Sequence, residues 1–481
     1  MQIPPELMQF VRRDTYSLLI KGNSGTGKST LSLTILKALQ IRSNFFYIST
    51  RLSPKQLFVN YPWLDKFVIR ENMEVNDPSN QQSSLSSFED ARLDEPESLF
   101  ERITNQLMDV KAPIIIIDSW DAIASFMDTE ARLNNERVLQ TWRERAGAKL
   151  IFTSEDSQNN TLDFIVDGIV ELRQKTYRNT DIRQVFLTKL RGTKIDRSSY
   201  IFTLSNGIFR SYNHYNPSDF HLVDMKANSQ AKKDLHDHTR LLSRSNSSLK
   251  KEKKNTGILC ESPKTEYYNS AQNKIMLIEI DQIISPNAYA SFLAKIASQF
   301  MSDYDNGIII QPASSIEQEL ISEFLHPYLG QKAEKNVKLL YPIEARSRIS
   351  KLPDEQIALT TLQDGLRKFQ EAVSKLRIRK NNINNNLLGM LVVDEFGDNS
   401  YEDLLFSSIL PYFRSSLNLS ILVTTKPFKR KDIVRHVDAL LKLRLLHSTL
   451  LVESVIPGDH WHALSVQRSL GYPIITLDCL V

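Results

Sequence analysis

The sequence predicts an α/β protein made of two successive domains, each a mostly parallel sheet flanked by helices, the second lacking a phosphate loop. Three observations carry that expectation. An apolar run from Tyr16 to Ile20 leads into Gly22-Asn23-Ser24-Gly25-Thr26-Gly27-Lys28-Ser29 and then into an apolar-periodic stretch from Thr30 to Leu36. Strand, glycine-rich turn and helix in that order fit the phosphate-binding pattern G-x-x-x-x-G-K-[ST]. Further strand-length runs then alternate with helical segments, at Phe45–Ser49, Ile114–Ile117, Lys149–Thr153, Gly168–Leu172, Gln184–Leu187 and Tyr200–Leu204. Such alternation argues a doubly wound core. Finally, the second half repeats the order of the first, as set out below.

The loop has a physical logic. Glycines let consecutive backbone N–H groups turn inward around phosphate oxygens. The following helix points its positive end at the same charge. Gly22 through Ser29 and Thr30 are thus the candidate nucleotide contacts, with Lys28 reaching the β- and γ-phosphates and the Ser29 hydroxyl ligating Mg2+. Ala112-Pro113-Ile114-Ile115-Ile116-Ile117-Asp118-Ser119 reads as a strand buried on both faces that ends in a carboxylate. Asp118 then falls beside the loop and is the second candidate for holding Mg2+.

Composition sets the remaining bounds. A chain of 481 residues is too long for one core, so two or three domains are expected. A net charge of +4 does not by itself imply a nucleic-acid partner. Two cysteines, Cys260 and Cys479, make neither a disulfide framework nor a metal site and suit a reducing cytosol. No apolar run has membrane-spanning length, and Met1-Gln2-Ile3-Pro4-Pro5 lacks a signal-peptide pattern, so a cytoplasmic protein with no membrane partner is expected.

The order of phosphate loop, Tyr47-Ile48-Ser49-Thr50, Ser53-Pro54-Lys55-Gln56-Leu57, Ile117-Asp118-Ser119 and Phe164-Ile165-Val166-Asp167-Gly168-Ile169-Val170 resembles the KaiC-like branch of the RecA-fold ATPases. Lys189-Leu190-Arg191-Gly192-Thr193 and Phe202-Thr203-Leu204-Ser205-Asn206-Gly207-Ile208 strengthen the resemblance. It implies tandem RecA-like domains, ATP as the nucleotide, and a ring or filament in which Lys189 and Arg191 reach a neighbouring subunit's γ-phosphate. Two cations there would stabilise the charge of a transferring phosphoryl group. One departure bears on the chemistry. Where the family places acidic residues that activate water, this chain has Arg51 and Leu52, and a guanidinium is no general base at neutral pH. Asp121 or Glu155 could order the water instead, but slow or absent hydrolysis is expected.

Ser-Thr-Arg-Leu-Ser-Pro, residues 49–54, is most similar to the subgroup around the archaeal gas vesicle regulator GvpD. That resemblance implies control of a protein partner such as a transcription activator. The alternative is a working oligomeric ATPase acting on DNA or protein. A DNA role has weaker support, because no basic, aromatic-rich loop for single strands stands out.

On composition, residues 1–211 form the nucleotide-binding domain, 212–270 a polar linker expected to be disordered, and 271–481 the second domain. Asn76 to Ser87 reads as another polar loop. In the second domain Ile275–Ile280 is a strand and Ala288–Met301 a helix, and Asp281-Gln282-Ile283-Ile284-Ser285-Pro286 stands where a phosphate loop would be. Leu391-Val392-Val393-Asp394-Glu395 echoes the run ending at Asp118, Ile421 to Thr425 echoes Leu150 to Ser154, and Val437 to Arg444 echoes Val166 to Arg173. Matched order and spacing argue a duplication. His460 and His462 are a weak metal pair, and the basic stretches Lys375–Lys380 and Lys426–Arg435 read as solvated faces.

Overall fold

The computed structural model describes residues 3–42, 44–68, 86–92, 96–107, 112–128, 130, 135, 138–139, 141–144, 147–155, 161–177, 180–222, 273–300, 306–312, 314–325, 336–341, 354–378, 386–393, 405–426, 431–456, 458, 460–469 and 472–480. The linker from residue 223, loop residues 76–85, Asp394 and Glu395, and the basic residues Lys380, Lys429 and Arg430 lie outside the described residues. The chain divides into two compact units, Met1–Asn213 with Leu480–Val481, and His214–Cys479. Of the stretch read as linker, residues 214–222 fall in the second unit.

The first sheet runs in the order β3-β2-β4-β5-β1-β6-β7-β8-β9. Its strands are β1 (Tyr16–Gly22), β2 (Phe45–Ser49), β3 (Ser86–Asp90), β4 (Ile114–Asp118), β5 (Lys149–Ser154), β6 (Gly168–Tyr177), β7 (Thr180–Leu190), β8 (Ser199–Thr203) and β9 (Arg210–Ser211). The strands from β3 to β6 are parallel, and β7 to β9 add an antiparallel edge. The central strands β1, β2 and β4 are buried along their whole length, which is why they read as unbroken apolar runs. One face of the sheet packs the helices Pro5–Val11, Lys28–Ala38 and Pro54–Asn60, with Phe10, Leu31, Ile35 and Leu57 in that core. The other face packs Pro96–Leu107 and Trp120–Ala124, with Phe100, Ile103 and Trp120.

The polar loop expected over Asn76–Ser87 gives way at Ser86, where β3 begins. Ser-Ser-Phe-Glu-Asp has little strand signal of its own. Its backbone is paired because β2 presents an open parallel edge, with Phe45 opposite Ser86 and Ser49 opposite Asp90.

The second sheet runs β12-β11-β13-β14-β10-β15-β16-β17-β18. Its strands are β10 (Lys274–Ile280), β11 (Gly307–Gln311), β12 (Val337–Leu339), β13 (Leu387–Val392), β14 (Leu419–Thr424), β15 (Ala439–Leu446), β16 (Thr449–Ile456), β17 (His460–Ser469) and β18 (Tyr472–Cys479). Each strand of the first sheet has its counterpart nine strands later, in the same place. The pairings match as well. Tyr16 faces Lys149 and Leu18 faces Gly168, while Lys274 faces Leu419 and Met276 faces Ala439. The register shift between Ile169 and Val170 recurs between Leu440 and Leu441.

One carboxylate clamp is common to both units. Asp167 accepts from Ser17 N at 3.0 Å and pairs with Arg143 at 2.6 Å. Asp438 accepts from Ile275 N at 2.8 Å and pairs with Arg414 at 3.3 Å. In each unit the acid stands just before the strand to the right of the central one and fixes where that central strand begins.

The ladders correct two equivalences drawn from sequence spacing. Lys149 faces Ile114 and Leu419 faces Leu388, so Asp118 corresponds to Val392, not Asp394, and Thr153 to Val423, not Thr424. Spacing failed because the segments between strands differ in length, and a one-residue slip changes the face a side chain occupies. The consequence is chemical. Ile310, Val392 and Val423 are buried together in one apolar cluster. Val392→Asp would place a charge with no donor among them and should destabilise the second unit by on the order of 3–5 kcal/mol, read from urea denaturation.

Candidate functional site

The loop after β1 has the backbone its glycines allow. Gly22, Gly25 and Gly27 take φ of 152°, 79° and 102°, values that a side chain disfavours. Space is also limiting: a Cβ on Gly22 would lie 2.6 Å from the Leu172 carbonyl oxygen, and one on Gly27 2.8 Å from Leu204. Helix Lys28–Ala38 starts directly from Gly27, which brings no side chain to cap it. Asn23, Ser24 and Gly25 are exposed, Thr26, Lys28 and Thr30 are buried, and Ser29 is half-buried at the first turn. Thr26 Oγ1 donates to Asn23 O at 2.8 Å and so closes the loop on itself. Thr30 Oγ1 and Tyr61 OH are 3.1 Å apart.

Lys28 curls back over the loop. Its Nζ donates to Gly22 O at 2.6 Å and to Asn23 O at 2.9 Å, and Glu155 Oε1 lies 3.8 Å away. Burial lowers the ammonium's pKa, opposed by the nearby Glu155 charge.

Asp118 sits where expected, at the end of β4, buried to 8% exposure. Its two carboxylate oxygens are shared out. Tyr47 OH donates to Oδ2 and Thr153 Oγ1 to Oδ1, each at 2.5 Å. Burial and the Asp118 charge raise the Tyr47 pKa, so the phenol stays a donor. Sequence reasoning missed both partners. The signal was present, since Tyr47 and Thr153 lie near the ends of the two strands that flank β4.

The position after β2 is organised too. Arg51 Nη1 meets Glu155 Oε1 at 2.6 Å. This hydrogen bond is the main cause that raises the Arg51 pKa and lowers that of Glu155. Asp121, the other acid considered in the sequence, accepts from Ser154 Oγ at 2.9 Å and from Glu155 N at 2.5 Å.

Lys189 and Arg191 lie elsewhere. Lys189 faces Ile169, and its Nζ donates at 2.9 Å to Asp163 O in the helix Thr161–Ile165. Ile169 belongs to the core on the sheet face opposite the one that packs Leu31 and Ile35 of the loop helix. Arg191 pairs with Asp167 at 3.5 Å, donates to Phe164 O at 3.4 Å, and its carbonyl accepts from Arg13. The structure therefore brings Lys28, Ser29, Thr30 and Asp118 to one end of the sheet and does not bring Lys189 and Arg191 to that cluster.

The second unit preserves the loop's length while replacing its chemistry. Since Tyr16 corresponds to Lys274, Gly27 corresponds to Ser285, Lys28 to Pro286 and Ser29 to Asn287. Lys189 corresponds to Ile456, since these residues face Ile169 and Leu440. At the head of helix Pro286–Phe300, Ala288 N donates to Ser285 Oγ at 3.4 Å. Tyr215 OH donates to Ser285 Oγ at 2.9 Å and accepts from Ser285 N at 2.7 Å. His462 is buried and faces Cys479, while His460 is exposed. Among the described residues no group of three His, Cys, Asp or Glu is placed to hold a metal. In the basic stretches, Arg377 donates to Ser416 O at 2.6 Å.

Residues 7–188 match the family model described as GvpD gas vesicle protein, P-loop domain. The first unit is similar to the P-loop domain of GvpD proteins. It is similar to Protein GvpD1 of Halobacterium salinarum, 31% identical over 222 residues that cover 43% of this chain and 40% of that relative. Protein GvpD2 of the same organism is 26% identical over 222 residues, 43% of this chain and 44% of that relative. The circadian clock oscillator protein KaiC of Thermostichus vulcanus is 26% identical over 204 residues, 40% of this chain and 39% of that relative. The chain thus spans about two-fifths of the length of the curated relatives it matches. Both units have the sheet of a RecA-like domain, and no helix among the described residues is long and apolar enough to cross a membrane.

Removing one Asp118 donor should be measurable without touching the loop. Tyr47→Phe leaves Oδ2 buried without its partner, and a loss of about 1–3 kcal/mol is expected, checked by thermal or urea unfolding against wild type.

Proposed function

We propose that the first unit binds Mg-ATP and that its nucleotide state, rather than turnover, is the output. The reading rests on one observation: a loop of the G-x-x-x-x-G-K-S pattern stands beside Arg51, which is paired to Glu155 where the resemblance to KaiC proteins implies a water-activating acid. Gly22 to Ser29 would wrap the phosphates, with Lys28 as counter-charge. Ser29 and Asp118 offer the hydroxyl and carboxylate oxygens that suit Mg2+, Asp118 acting through bound water, since both its oxygens already accept hydroxyls. The metal would neutralise charge on the terminal phosphates. ATP, in preference to GTP, follows the resemblance to GvpD and KaiC proteins.

Lys189 and Arg191 act on a neighbouring copy's nucleotide. Their place on the sheet face away from their own loop helix supports action in trans. ATP would then favour assembly, and a protein partner, such as a transcription activator in gas vesicle control, would read the assembled surface. A ligand that binds one state better than another shifts the equilibrium without being consumed. A cytoplasmic setting fits this role.

A second reading, a working oligomeric ATPase acting on DNA or protein, is favoured by Glu155, a carboxylate 3.8 Å from Lys28 Nζ. Phosphate release from saturating Mg-ATP separates the two. We expect release far below an ordinary turnover of about 1 s⁻¹, with ATP binding present in wild type and lost in Lys28→Ala. Release at that ordinary rate, abolished by Lys28→Ala, would establish the second reading instead.

A further inference from the structure

Arg51 is held by its neighbours on both sides. Thr50 N donates to Asp118 O at 2.8 Å, Thr50 Oγ1 accepts from Ser119 N at 2.9 Å, and Leu52 N donates to Ser49 Oγ at 3.0 Å. The turn after β2 is thereby pinned to the end of β4, and the guanidinium projects to the end of β5. Glu155 is fixed through its main chain, because Asp121 accepts from both Glu155 N and Ser154 Oγ. One oxygen, Glu155 Oε1, is 2.6 Å from Arg51 Nη1 and 3.8 Å from Lys28 Nζ. A single carboxylate is thus shared by two cations at the mouth of the phosphate loop. Arg51 remains half-exposed, with its side chain at 48%.

That arrangement responds differently to two and to three phosphates. The loop amides and Lys28 can hold a diphosphate while Glu155 keeps Arg51. A third phosphate brings negative charge up to Lys28 on the side that Glu155 occupies, where like charges repel. The repulsion is relieved if Arg51 leaves Glu155 for the new phosphate, a fork-shaped donor that suits phosphate oxygens.

We infer that Arg51 and Glu155 form a γ-phosphate gauge: Glu155 retains Arg51 in the diphosphate state, and the terminal phosphate of a triphosphate takes Arg51 from it. The inference deepens the nucleotide reading above and rests on it. Exchange of partners moves the Arg51 guanidinium while the pinned backbone stays in place, so the nucleotide state would leave the pocket through the side chains of Arg51 and Glu155. No bond is made or broken, so the device works without hydrolysis.

The test is equilibrium binding of Mg-ADP and of a non-hydrolysable Mg-ATP analogue to the full chain, in wild type, Arg51→Ala, Glu155→Gln and Lys28→Ala. Both partners are part-exposed, so Arg51→Ala and Glu155→Gln leave the cores intact, and melting without nucleotide checks the fold of all three variants. Arg51→Ala should weaken the analogue by about 10- to 100-fold and ADP by less than about threefold. Glu155→Gln should move the ratio the other way and tighten the analogue. Equal loss of both ligands in Arg51→Ala, or no loss of either, would overturn the gauge while leaving the nucleotide reading intact, provided Lys28→Ala abolishes both. A wild-type chain that binds neither ligand would overturn the nucleotide reading and the gauge together.

Discussion

The backbone N–H groups at the head of a helix have no partner within that helix, and something must satisfy them. In this protein the two units meet that constraint in different ways. At the head of Lys28–Ala38 the preceding residue is Gly27, in a left-handed conformation and without a side chain, an arrangement that would suit the proposed phosphate. At the head of Pro286–Phe300 the equivalent residue is Ser285. Its hydroxyl reaches Ala288 N, Tyr215 OH bonds its hydroxyl and its amide, and Pro286 removes one donor altogether. The second unit answers with its own side chains the need that the first would meet with phosphate.

The rest of the second site changes in concert. Tyr47, Asp118 and Thr153 form a buried polar trio in which every carboxylate oxygen has a donor. Their counterparts Ile310, Val392 and Val423 are all apolar and packed together. A half-retained trio would leave a buried polar atom unpaired, which costs more than a wholly apolar replacement. The scaffold, by contrast, is unchanged: the Asp167 and Asp438 clamps, the strand order and the register shift recur. Those features set where strands lie and carry no demand for phosphate.

Much of this was legible in the sequence, and the reason is periodicity. Buried parallel strands announce themselves as apolar runs, so β1, β2, β4 and β5 were found with their ends nearly right, and the Val-Asp spacing exposed the repeat. The glycine turn was legible because its positive φ angles tolerate few substitutes. What escaped depends on partners that are distant in sequence. β3 forms because β2 offers an edge, Tyr47 and Thr153 matter because of Asp118, and the meaning of Arg51 appears only beside Glu155. Equating Asp394 with Asp118 failed for a related reason: spacing counts residues, while register counts ladder rungs.

On a scaffold built twice, the proposed function places one nucleotide site in each chain. Its most direct test is the number of nucleotides bound per chain at saturation, by titration calorimetry with Mg-ATP on wild type and Lys28→Ala. One per chain is expected in wild type and none in the variant. Two per chain, or one that survives Lys28→Ala, would contradict it.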